Sequence, residues 1–289
     1  MNLTTELARP VSGYYLLGVI GNPIAHSKSP AMHNAALQEA GVQGAYVPLH
    51  VEPEHLQAAV MGMKAMNFRG FNVTIPHKVD ILSYMDELDE SARFIGAVNT
   101  VVIEQGRLIG YNTDGVGYVR SLKEEAVSTI EGKHVVVIGA GGAARGIVYA
   151  LLLERPQSLT ILNRTAEKAE ELAKDFKVLG NVNGYSIDSA EQVLAQADIL
   201  INTTSVGMHP HTDQTPVSIQ HIPEGIVVSD LIYNPLETKL LTDSKHKNCI
   251  THGGLGMFVY QGAIAFEHWL HVQAPVEAMR RAVLASFTS

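Results

Sequence analysis

The most constraining feature is the run from Val135 to Glu154. An apolar, β-branched segment at 135–138 passes directly into Gly139-Ala140-Gly141-Gly142-Ala143-Ala144 and then into an apolar helical pattern, with a second strand at 159–162. Gly139 permits a tight turn, Gly141 lets the backbone approach a pyrophosphate, and Ala144 keeps the helix close to the sheet. The free N–H groups and positive dipole end of that helix favour an anion. A strand, glycine turn, helix and strand in this order read as a dinucleotide-binding βαβ unit rather than a structural turn.

The end of the second strand selects the dinucleotide. A site for NAD usually has an Asp or Glu there, about 20 residues past the first glycine, to hold the ribose hydroxyls. This chain has Asn163-Arg164-Thr165, with Lys168 one helical turn further on. Arg164 offers a planar fork suited to a 2′-phosphate and Lys168 adds a second positive charge, so NADP is expected. Cations at a helix start oppose its dipole unless an anion joins them.

A separate α/β series precedes this unit. Strand patterns at 14–20, 45–51 and 70–76 alternate with helical patterns at 29–40 and 53–66, which predicts an α/β domain with a mainly parallel sheet. The run 97–104, the turn signal Gln105-Gly106 and the segment 108–111 predict a hairpin. A boundary between two domains is expected near 112–117. Beyond the βαβ unit, helices are expected at 166–176 and 190–197, and strands at 199–202, 226–230 and near Ile250. The tail 257–287 reads as helical, broken around Ala274-Pro275, and is expected to fold back onto the first domain.

Polar residues gather where the first domain's strands end. Ser27-Lys28-Ser29-Pro30 precedes an amphipathic helix, with Ser29 suited to the N-cap and Pro30 to the first helical position. The two hydroxyls serve either as simple capping groups or, with the helix N–H groups, as a cradle for a carboxylate. Asn72-Val73-Thr74-Ile75-Pro76-His77-Lys78 ends a strand, the usual place for ligand groups in α/β folds. Asn99-Thr100 lies in an apolar run, and Asn112-Thr113-Asp114-Gly115 lies at the expected boundary. A cleft between a nucleotide domain and this cluster suggests alcohol oxidation or carbonyl reduction. Lys78 and Asp114 would handle the proton, and no metal is needed. His209-Pro210-His211 lacks a helical pairing with a carboxylate and reads as a polar loop.

Composition narrows the alternatives. With 21 basic and 29 acidic residues among 289, the net charge is −8, which offers nucleic acid no attractive field. The single cysteine, Cys249, excludes an intramolecular disulfide framework and fits a reducing compartment. The first 13 residues lack the apolar core of a signal peptide, and no run suits a membrane span, so a cytoplasmic location is expected.

The chain resembles the shikimate dehydrogenase family. The resemblance rests on S-K-S-P from Ser27, N-V-T-I-P-H-K ending at Lys78, G-A-V-N-T from Gly96, N-T-D-G from Asn112, G-A-G-G-A-A from Gly139, N-R-T from Asn163, N-T-T-S-V-G-M from Asn202 and G-M-F-V-Y-Q-G from Gly256. It implies a substrate-binding catalytic domain of residues 1–113 plus 256–289 and a Rossmann-type NADP domain of residues 114–255, with a cleft between them. It implies NADPH-dependent, reversible reduction of 3-dehydroshikimate to shikimate. Lys78 and Asp114 would be the catalytic pair, and Ser27, Ser29, Thr74, Asn99, Asp114, Tyr233 and Gln261 would line the substrate pocket. Cofactor residues would be Gly139, Ala140, Gly141, Gly142, Ala143, Asn163, Arg164, Thr165, Lys168, Thr203, Val206, Gly207, Met208 and Gly254. A quinate/shikimate dehydrogenase of broader substrate and cofactor use is the neighbouring alternative. A catalytically silent nucleotide-binding regulator would lack Lys78 or Asp114, and both are present. Monomer and homodimer both fit the sequence.

Overall fold

A computed structural model describes residues 13–287, and the reading of the N-terminal residues Met1–Gly13 lies, but for Gly13, outside the described residues. The chain forms two units. One comprises the described residues up to Thr113 and those from Val259 onward, the other Asp114–Phe258.

The first unit opens with β1 (Tyr15–Gly21), α1 (Ser29–Glu39), β2 (Gly44–His50), α2 (Leu56–Ala65) and β3 (Gly70–Val73). There follow β4 (Glu87–Leu88), α3 (Glu90–Ile95), β5 (Thr100–Glu104) and β6 (Arg107–Tyr111). Six strands make one sheet in the order β2-β1-β3-β5-β6-β4, with β1, β2 and β3 parallel, β5 antiparallel to β3, and β6 antiparallel to β5. Its core joins Ile20, Phe71, Val73, Ile81, Val98, Val101 and Leu108. Each such side chain contributes about 1.5–3 kcal/mol on burial.

The second unit holds α4 (Asp114–Glu125), β7 (His134–Ile138), α5 (Gly142–Leu153), β8 (Ser158–Asn163), α6 (Ala166–Phe176), β9 (Val182–Ser186), α7 (Ala190–Leu194) and β10 (Ile199–Asn202). It continues with β11 (Val227–Asp230), α8 (Lys239–Lys245) and β12 (Ile250–His252). The sheet order is β12-β11-β10-β7-β8-β9 with every pair parallel. Counted from β7 outward this is the 3-2-1-4-5-6 order of a doubly wound dinucleotide fold. The helices bury their expected faces: Ala144, Ile147, Val148 and Leu151 of α5, and Ala169, Leu172, Ala173 and Phe176 of α6, recur at i, i+3, i+4 and i+7.

The tail forms α9 (Gly254–Leu270) and α10 (Val276–Ala285). From Val259 onward these helices belong to the first unit, where α10 packs on α1 and the Trp269 indole N–H donates to the Val101 carbonyl at 2.9 Å. The chain breaks between α9 and α10 around Ala274-Pro275, as the sequence predicts. Three details depart from expectation. Ser29 is the first helical residue and Lys28 the N-cap, with no side-chain cap bond, because the turn at Ile24–Ser27 brings the helix in one residue early. β3 ends at Val73, so Thr74 stands just past the strand although its N–H still donates to Ile20 O. α7 closes at Leu194, and the three residues to Ala197 turn back toward β10.

Candidate functional site

In the first unit the register Val19↔Asn72↔Thr100↔Tyr111 aligns the ends of β1, β3 and β6 with the start of β5. Ser27, Thr74, Lys78, Asn99 and Thr113 all lie on the segments that leave or enter this edge. Ser27 Oγ accepts from the Ser29 N–H at 3.3 Å, which ties the two serines together at the start of α1. Lys78 is half-buried, and its carbonyl accepts from Val98 N–H at 2.8 Å while His77, next to it, is anchored to Val51 O at 2.8 Å through its Nε2. The segment carrying Lys78 is therefore held from both sides.

Beneath these groups runs a buried polar network. Tyr46 O–H donates to Asn72 Oδ1 at 2.7 Å, and the Asn72 amide donates to Thr100 Oγ1 at 3.0 Å and Asn99 O at 3.2 Å. Asn99 in turn accepts from Thr113 N–H at 2.8 Å and donates to Thr113 Oγ1 at 3.0 Å. A satisfied network of this kind rigidifies its members. Burial pushes the Tyr46 hydroxyl far above its ordinary value, so it stays a donor. Tyr46 was not among the expected site residues, and Asn72 and Thr113 stood only inside the strand-end and boundary motifs, with no role of their own. An asparagine inside the apolar run of β3 was the available signal, because a buried amide needs partners.

In the second unit a cavity of about 500 Å³ is bordered by the glycine turn and by the end of β8. Ala140, Gly141, Asn163, Arg164, Thr165, Lys168 and Val206 line it, together with Ile187, Thr204, Ser205 and Pro216, which were not expected. Gly139 has φ +111°, and a Cβ there would press on the Thr203 and Thr204 side chains, so the turn demands glycine. A Cβ on Gly141 or Gly142 would meet open space, and Gly141 caps α5 without any side-chain bond. The N–H groups that begin α5 therefore face room for a diphosphate. Arg164 and Lys168 are exposed, with no carboxylate at the β8 end to oppose a phosphate. These residues fit NADP.

The other expected cofactor residues brace that turn or lie apart from the cavity lining. Gly139 N–H donates to Leu162 O at 2.8 Å, and Thr203 Oγ1 donates to Ile138 O at 2.7 Å. Asn202, buried at the end of β10, organises the loop through Gly207, accepting from Thr204 N–H and donating to Val206 O. Gly142, Ala143, Gly207, Met208 and Gly254 are not in the lining. Asp114 begins α4 and is half-buried. Tyr233, in the segment after β11, stacks on Phe258 with ring centroids 5.0 Å apart, and burial pushes its hydroxyl up. Gln261 stands half-buried on α9.

Comparison with known proteins agrees across both units. Residues 19–101 match the family model described as shikimate dehydrogenase substrate binding domain, residues 121–221 that of shikimate / quinate 5-dehydrogenase, and residues 254–284 that of the shikimate 5′-dehydrogenase C-terminal domain. A curated shikimate dehydrogenase (NADP(+)) from Geobacillus kaustophilus is 48% identical over 92% of this chain and 96% of its own length. Among solved structures, shikimate 5-dehydrogenase from Listeria monocytogenes in complex with shikimate and NAD superposes with a TM-score of 0.89 at 37% identity, covering 94% of this chain and 97% of that one. The Thermus thermophilus enzyme in complex with NADP(H) and shikimate gives 0.85 at 34%, covering 94% and 99%. With a 3-2-1-4-5-6 nucleotide sheet, a serine–threonine–lysine edge on the other sheet and relatives matched nearly end to end, the chain belongs to the shikimate dehydrogenase family.

Proposed function

We propose that this chain catalyses the NADP-linked, reversible reduction of 3-dehydroshikimate to shikimate, an oxidoreductase step of aromatic amino-acid biosynthesis. The observation that carries the cofactor choice is the single cavity shared by the glycine turn, Arg164 and Lys168. The first unit takes the substrate and the second the dinucleotide. NADP, when bound, supplies or accepts the hydride.

The chain's own residues do the rest. Ser27 and Ser29, with the N–H groups that open α1, receive the substrate carboxylate. Thr74, Asn99, Tyr233 and Gln261 hold the ring hydroxyls. Lys78, as an ammonium, donates a proton to the carbonyl oxygen as negative charge develops there and recovers it in the reverse direction. Asp114 shares the handling of that proton. Cofactor contacts come from Gly139 to Ala143, from Asn163, Arg164, Thr165 and Lys168, from Thr203, Val206, Gly207 and Met208, and from Gly254. The protein works in the cytoplasm as a monomer or homodimer. The lone cysteine supports the location, and no helix among the described residues is long and apolar enough to cross a membrane.

The test is nicotinamide absorbance with shikimate or quinate and with NADP+ or NAD+, in all four combinations. Turnover concentrated in the shikimate and NADP+ pair is expected. Comparable rates with quinate or NAD+ move the chain to the broader dehydrogenases of the family, and no turnover in any pair overturns the assignment.

A further inference from the structure

In the second unit a chain of buried polar side chains links α4, which Asp114 opens, to the strand that precedes Gly254, and none of its members lines the cavity. Tyr118 and Ser121 project from one face of α4, and Ser229 and His252 lie on β11 and β12. Tyr118 O–H donates to Ser229 Oγ at 2.9 Å, Ser229 Oγ lies 2.8 Å from His252 Nδ1, and His252 Nε2 lies 2.7 Å from Ser121 Oγ. Glu125, one turn beyond Ser121, approaches the same Nε2 at 3.7 Å. Tyr118, Ser121 and Ser229 are fully buried and His252 is 2% exposed, so bulk water cannot substitute for a missing member.

The proton count gives this chain a direction. Tyr118 spends its one hydroxyl proton on Ser229, and burial pushes that hydroxyl up so that it stays a donor. Ser229 still has its own proton, which we assign to Nδ1, the ring nitrogen 2.8 Å away. On that assignment the imidazole proton sits on Nε2 and points at Ser121. His252 thus acts as an acceptor toward β11 and a donor toward α4.

Its position gives the chain a consequence. His252 ends β12, and two residues later Gly254 opens α9, with its N–H bonded to Ile232 O at 3.1 Å. A Cβ on Gly254 would strike the Leu231 carbonyl, and one on Gly256 would strike Ser121 Oγ, so this turn, β11 and α4 meet without slack. Asp114 is the first residue of α4, one turn before Tyr118. We infer that His252 is a positioning residue, bonded through Ser229 to Tyr118 and directly to Ser121, which holds the Asp114 end of α4 and the Gly254 turn in one fixed register for the reaction. The inference rests on the proposed roles of Asp114 in proton handling and Gly254 at the cofactor.

The experiment compares full-length His252→Phe and His252→Gln with the parent for kcat, KM for shikimate and NADPH affinity by nicotinamide fluorescence. Phenylalanine fills the space but takes a partner from two buried hydroxyl groups, those of Ser229 and Ser121, while the Tyr118–Ser229 bond remains. Glutamine offers a carbonyl oxygen to Ser229 and an amide N–H to Ser121, reproducing the direction of the chain. The expected result is a kcat about tenfold lower and an NADPH Kd several-fold higher in the phenylalanine variant, with KM for shikimate within about twofold, and recovery to within about threefold in the glutamine variant. Parent-like kcat and Kd in the phenylalanine variant overturn the proposal. Equal losses in both variants also overturn it, because a role of bulk alone gives no rescue by glutamine. If circular dichroism shows that His252→Phe does not fold, Ser121→Ala, which removes one acceptor atom, takes its place with the same kcat and Kd criteria. Asp114→Asn, run beside them, separates the two readings. Full activity there sinks the proton role on which the inference rests, whereas full activity in His252→Phe sinks the inference with that role intact.

Discussion

His33 lies fully buried on α1, its ring stacked on Tyr46 with centroids 4.3 Å apart and neither nitrogen in hydrogen-bond geometry. Burial lowers its pKa from 6.5 to about 3, with the Asn72 amide acting in the opposite sense to a smaller extent. Between those values the unfolded chain binds a proton that the fold refuses, so stability falls as the pH falls, by about 1.4 kcal/mol per unit. Asp230 in the second unit has the reverse sign. Burial raises its pKa from 3.8 to about 6, against bonds from Ile232, Thr238 and Asn202, so its contribution improves as the pH falls through that window. His33→Phe should therefore gain about 3 kcal/mol on the parent between pH 6.5 and pH 4, read by urea titration of the fluorescence of Trp269, whose ring lies 5.3 Å from His33. A constant difference across that range would refute the assignment. At the proposed reaction centre, Lys78→Ala should cut kcat by about 10²- to 10⁴-fold while NADP still binds, and parent-like turnover would remove Lys78 from its role. Arg164→Ala should weaken NADP+ by about 10- to 100-fold and leave NAD+ affinity nearly unchanged, since only one of the two carries the phosphate its fork would hold. Arg164 and Lys168 could be read locally, one strand end and one helical turn. Tyr46, Asn72 and Thr113 come together only through the register of five strands, β2-β1-β3-β5-β6, which no local pattern displays.

The helices with a full period were legible, whereas α3, α8 and β9 were not. α5 and α6 carry full i, i+3, i+4, i+7 stripes and begin and end within a few residues of expectation. α3 has six residues and α8 seven, too few to show a period, although each carries a cap: Asp89 accepts from Ser91 and Ala92 N–H, and Thr238 accepts from Leu241 N–H. β9 was hidden for a different reason. Its sequence Val182-Asn-Gly-Tyr-Ser lacks an apolar alternation because Gly184 must pass under α6, where a Cβ would strike the Ala169 backbone. The same close approach governs β3, where a Cβ on Gly70 would run into the Trp269 indole and the Val101 carbonyl. Gly70→Ala should then destabilise the first unit by about 1–3 kcal/mol or more and loosen Trp269, seen as a red-shifted emission and a lower urea midpoint. An unchanged midpoint would mean that α9 can move away at no cost.

At the scale of the molecule, the α/β class and the nucleotide fold were legible because the βαβ fingerprint is contiguous. The mixed first sheet was less so, since the tiny β4 inserts parallel to β6 at its far edge. The first unit is discontinuous in the chain: its sheet is complete by Tyr111, yet Trp269 and α10, which cover Gly70 and α1, are separated from it by the whole of the second unit. On a ribosome, where synthesis runs from the N-terminus at about 5–20 residues per second, the segment made first is thus the one completed last. The nascent first sheet waits, with its Trp269 seat bare, while a contiguous second unit can close ahead of it. Premature termination between Phe258 and Trp269 would release a chain whose second unit is whole and whose first unit is permanently short of its cover.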